Sequence, residues 1–110
     1  MPTADESPPL ELTTRVEGDA AVISVRGEVD VASAPALRGA IRQVIDDGST
    51  RVVLDLADLE FIDSSGLGVL VGALKNLRER DGALVLRAVP PSTRKILDIT
   101  GLSDVIPSED

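Results

Sequence analysis

The segment FIDSSGLGVLVG, residues 61–72, holds two serines, three glycines and an aspartate. A serine hydroxyl can cap a helix, accept a phosphoryl group or, beside a base, act as a nucleophile. The chain has no histidine and no cysteine. A Ser-His-Asp triad, imidazole or thiolate metal ligation and any disulfide are therefore excluded. The glycines suggest a phosphate cradle instead. Gly66, Gly68 and Gly72 read G-x-G-x-x-x-G, one residue off the dinucleotide fingerprint, and no G-K-[ST] follows. What remains open for the serines is capping or phosphoacceptance. Both need a helix to start at about Asp63–Ser65, where free N–H groups and the positive dipole end favour an anion.

The flanking pattern predicts that start. RVVLDL (51–56) is a nearly continuous apolar run, read as a buried strand. ADLEFID (57–63) reads as a loop, and Leu67, Leu70, Val71, Leu74 and Leu77 then form a helical stripe that stops at Gly82. Glycine in a helix interior costs about 1 kcal/mol relative to alanine. Close approach by a partner accounts for that cost at Gly66 and Gly68; at Gly72, packing on a sheet does so equally well.

The other elements follow the same rules. LELTTRV (10–16) and AVISVRG (21–27) are β-rich and flank the turn formers Gly18 and Asp19, which predicts a hairpin. GEVDV leads into a helix over 33–48, with Ser33 as N-cap, Pro35 in the first turn and a stripe of Leu37, Ala40, Ile41, Val44 and Ile45. ALVLRA (83–88) reads as a strand, and Ser92 to Gly101 as a short helix. The spacing of strand, helix and strand predicts right-handed crossovers between parallel strands. Glu28 and Asp30, ahead of the first helix, read as a solvated acidic turn or as the rim for a basic partner.

Composition narrows the function. At 110 residues and 43% hydrophobic, the chain suits one α/β domain with an aliphatic core. A net charge of −8 and a single aromatic, Phe61, speak against nucleic acid, which is bound by cations and stacking rings. No apolar run is long enough for a membrane span and MPTADESPP is not a signal peptide, so a cytoplasmic location is expected.

GEVDVASAPALR, VVLDLADLEFIDSSGLGVLVG and GALVLRAVPPSTRKILDITGL, in that order, resemble the STAS-domain anti-sigma factor antagonists of bacteria. The elements D-S-[ST]-G-L-G, G-E-[ILV]-D and D-I-T-G-L carry the resemblance over about residues 10–106. It implies a mixed sheet of four to five strands with helices packed against it, between a flexible lead-in at 1–9 and a polar tail at 107–110. It also implies partner switching rather than an enzyme. The unphosphorylated chain would bind an anti-sigma factor serine kinase and free the sigma factor. Phosphorylation of Ser64 would end binding, and a serine phosphatase would reset the cycle. By position the resemblance places Asp63, Ser65, Gly66, Leu67, Gly68, Glu28 and Asp30 at the partner face. The chain would need no cofactor and no metal, since ATP belongs to the kinase. A STAS subunit of a transporter or stress-signalling assembly, using the serine only as a contact, is the rival within the fold. A nucleotide-binding protein or serine hydrolase is the rival from another class.

Overall fold

The computed structural model describes residues 10–109; the lead-in expected over 1–9 and the last residue of the tail lie outside them. The elements are β1 (Leu10–Glu17), β2 (Ala20–Val29), α1 (Ala34–Asp46), β3 (Arg51–Ile62), α2 (Ser64–Glu79), β4 (Ala83–Arg87), α3 (Pro91–Thr100), a 3-10 turn (Leu102–Asp104) and β5 (Ser108–Glu109). The strands lie side by side in chain order as one mixed sheet. β1 and β2 form the expected antiparallel hairpin; β2, β3, β4 and β5 run parallel. This is the mixed sheet with helices packed against it that the resemblance implies. Ser108–Glu109, expected within the polar tail, instead pair with Leu86 and Arg87 and supply the fifth strand.

Chain order explains where the helices sit. Both crossovers, β2–α1–β3 and β3–α2–β4, step the same way across the sheet. Right-handed connections then put α1 and α2 on one face. The main core joins Leu37, Ile41 and Ile45 of α1 and Leu70, Leu74 and Leu77 of α2 to Ile23, Val25, Leu54 and Leu86 of the sheet. Among the described residues, the other face buries a smaller cluster of Ala20, Val22, Val53 and Val85. Charged side chains roof it. Arg87 on β4 reaches Glu17 on β1 at 3.3 Å and Glu109 at 3.0 Å, and Arg15 holds Glu17 at 2.9 Å. Exposed ion pairs are worth about 0–1 kcal/mol each, so the roof mainly excludes water from four small residues.

Two sequence expectations change. The loop expected over 57–63 is strand: β3 runs on to Ile62, and β2 runs beyond Gly27 to Val29 to pair with it. Gly27–Leu59, Glu28–Phe61 and Val29–Ile62 are opposed, with register shifts opposite Ser24/Arg26 and Gly27/Glu28, at each of which β3 carries the extra residue. Gly27 takes φ +104° at the second shift, a conformation that suits glycine. The buried face of α2 is also rotated from the expected stripe. Gly66, Val69, Leu70, Ala73, Leu74 and Leu77 face inward, Leu67 is half-buried, and Val71 is 37% exposed.

Candidate functional site

β2 and β3 end together and each feeds a helix, so α1 and α2 both begin at the carboxyl edge of the parallel strands. Asp63 is the only residue between β3 and α2. Its backbone N–H donates to Val29 O at 3.1 Å, tying the two strand ends. Its extended backbone lets the carboxylate turn back on the helix, where Oδ1 accepts from Ser65 N (2.8 Å) and Gly66 N (3.3 Å). The cap is therefore the aspartate, and neither serine serves that purpose. Ser64 is the first helical residue, exposed, with no side-chain hydrogen bond to any described residue. Replacing Asp63 with alanine is expected to lower stability by about 1 kcal/mol, read as an earlier thermal unfolding midpoint.

The same geometry bears on nucleotide binding. Two N–H groups that would hold a phosphate at this terminus already hold a carboxylate of the chain. The seven-residue gap between strand and glycines does not exist, but the glycine spacing still misses the fingerprint.

Gly66 is not on the exposed face. It is buried, and a Cβ there would come within 2.5 Å of Ile62 Cγ1 and 2.8 Å of Val29 Cγ1. Its missing side chain lets α2 settle onto the sheet; a direct partner contact through Gly66 is thus corrected to a packing role. Gly68 and Gly72 are exposed, with nothing within 4 Å of an added Cβ, so sheet packing does not explain Gly72 either. Ser65 and Leu67 are half-buried beside Ser64.

The second loop of this edge, Asp30–Ser33, is a closed hydrogen-bond set. Asp30 Oδ1 accepts from Ala32 N (3.0 Å) and Ser33 N (2.9 Å). Ser33 Oγ accepts from Asp30 N at 2.9 Å and lies 2.9 Å from Glu28 O and 3.0 Å from Asp30 Oδ1, its one proton serving either. Ser33 occupies the N-cap position of α1 but makes no capping bond to it; its hydroxyl ties the loop instead. Hydrogen bonds from Ser33, backbone first and hydroxyl next, hold the Asp30 carboxyl below its ordinary value, against desolvation. A lowered folded pKa means the loop's contribution is present above the ordinary Asp range and fades as pH falls through the lowered value. Asp30 is half-buried and organises the loop; Glu28 is exposed at the rim.

Two residues that the sequence did not flag share this edge. Phe61 is 50% exposed and Val31 75% exposed. The signal was present in Phe61, the only aromatic in the chain, placed two residues before Asp63. Around them Glu28, Asp30, Glu60 and Asp63 form no ion pair with described residues. Exposed apolar anchors within a charged rim match the anatomy of a protein-binding surface. Among the described residues no helix is long and apolar enough to cross a membrane.

Residues 11–110 match the model of the STAS domain. The anti-sigma-B factor antagonist of Listeria monocytogenes is 39% identical over 84 residues, 76% of this chain and 74% of that protein. The crystal structure of an anti-sigma factor antagonist from Mycobacterium paratuberculosis aligns with TM-score 0.83 and 33% identity, covering 96% of this chain and 88% of that one. The Bacillus cell fate determinant SpoIIAA in its phosphorylated form aligns with TM-score 0.70 and 27% identity, over 92% and 91%.

Proposed function

The chain belongs to the STAS domain family, and from that membership we propose that it is an anti-sigma factor antagonist switched by phosphorylation of Ser64. Unmodified, it binds an anti-sigma factor serine kinase and so releases the sigma factor. The kinase supplies ATP. Ser64 Oγ bonds to the γ-phosphorus, the bond to ADP breaks, and the hydroxyl proton passes to a base of the kinase. A serine phosphatase returns the hydroxyl by hydrolysis.

The observation that carries this reading is the state of Ser64: exposed, its hydroxyl free of hydrogen bonds to described residues, and held on a helix start whose cap is already supplied by Asp63. The relative resolved in phosphorylated form supports it. A phosphate adds about −1.5 to −2 charges at neutral pH. In the free chain those charges are solvated near a favourable dipole. Against a docked partner they lose water beside Asp63, Glu60 and Glu28, and binding fails without refolding. The acidic rim calls for a cationic partner surface, and Phe61 with Val31 for an apolar socket. Phe61→Ala is expected to weaken binding about 10-fold, as loss of an aromatic anchor does, with the thermal midpoint preserved because the ring packs little on the core.

A pull-down with unmodified chain identifies the partner. Capture of an anti-sigma factor serine kinase, and phosphoserine after ATP is added, is the expected result. A captured partner without kinase activity, and no phosphoserine, removes the switch and leaves a plain interaction module.

A further inference from the structure

The line of α2 that starts at Ser64 continues as Gly68, Gly72 and Asn76, each one turn from the last. These last three form one wall of a trough between α1 and α2; Arg38 and Arg42, one turn apart on α1, form the other, over a floor that includes Ile41. The cavity volume is about 120 Å³, far below the roughly 300–1,000 Å³ of a small-molecule pocket. It has room for a protruding side chain.

None of the described residues fills this trough. Glycine weakens a helix relative to alanine, yet a Cβ on Gly68 or Gly72 would meet only open space. Arg38 and Arg42 are exposed and ion-paired with no described residue, in a chain of net charge −8. A guanidinium's planar fork matches a carboxylate, and a bare helix backbone admits close approach. The trough also adjoins the Ser64 face directly.

Resting on the partner-switch reading above, we propose that this trough receives an acidic segment of the anti-sigma factor, with a carboxylate set between Arg38 and Arg42 and the segment's backbone close over Gly68 and Gly72. The partner's surface is then polarised, cationic over Glu28 and Asp63 and acidic a turn or two further along α2. Opposite charges at two points fix the docking register and reject a partner with only one of them.

The test compares Arg38→Glu/Arg42→Glu, Gly72→Leu and Ser64→Asp for affinity to the purified anti-sigma factor recovered by the unmodified chain. The double reversal is expected to weaken binding at least about 10-fold, as removal of an interfacial charge pair does, and a carboxylate-to-lysine change in the partner segment restores it. Gly72→Leu, entering open space, keeps the thermal midpoint and weakens binding similarly; it also serves if the double variant folds poorly. Wild-type affinity for both, with Ser64→Asp still inactive, overturns the trough and leaves the switch standing. Loss in both, with Ser64→Asp binding normally, upholds the trough and removes the switch.

Discussion

Ser64→Asp is expected to lose at least about 100-fold in affinity for the anti-sigma factor, while Ser64→Ala binds as tightly as the unmodified chain. A hundredfold corresponds to about 2.8 kcal/mol. One desolvated charge beside like charges is enough to supply it. The hydroxyl makes no hydrogen bond with described residues, so its removal leaves nothing unsatisfied. Both variants are expected to retain the wild-type thermal midpoint, because the side chain is exposed and the cap is Asp63. Titration calorimetry with both variants checks this. Equal affinities contradict an electrostatic ejection.

The second large effect is on folding. Gly66→Ala places a methyl 2.5 Å from Ile62 Cγ1, 2.8 Å from Val29 Cγ1 and 2.9 Å from Ile62 Cδ1. Both neighbours are buried and β-branched, hence stiff at χ1. They yield little, so the first turn of α2 must lift from the sheet. Overpacking of this kind costs about 1–3 kcal/mol, and alanine's better helix propensity offsets about 1 of it. A net loss of up to about 2 kcal/mol is expected by denaturant unfolding, with Ser64 displaced and partner binding weakened. Gly68→Ala, two residues along, meets nothing, and is expected to stabilise the free chain by up to about 1 kcal/mol.

These two glycines mark how far the sequence could be read. Both stand in one short run, and both suggested close approach by a partner. Only the fold separates them, because the rotation of α2 turns Gly66 to the sheet and Gly68 outward. The helix start at Asp63–Ser65 was legible, since D-S-S is a local signal and apolar periodicity follows it. The stripe of α1 was legible for the same reason, with Leu37, Ile41, Val44 and Ile45 all buried. The end of β3 was not. ADLEFI lacks a continuous apolar run, and it is held in the sheet by the far end of β2 through an irregular register. That pairing is non-local, and it is what brings the Glu28–Ser33 loop beside Ser64. Ser33 and Asp63 are both strong capping residues in sequence; which one caps depended on whether the hydroxyl found a better partner in its loop. Nothing in the sequence singled out Arg38 and Arg42, and only the neighbouring helix turns them into a wall.

The central claim is that one phosphate on Ser64 dissociates an otherwise stable complex. The most direct measurement forms that complex from unmodified chain and its captured anti-sigma factor kinase, adds ATP and magnesium, and follows complex mass and phosphosite together. The account predicts one phosphate per chain, mapped to Ser64, appearing in step with free antagonist. A complex that persists when Ser64 is fully phosphorylated, or that dissociates with the phosphate on another residue, contradicts it.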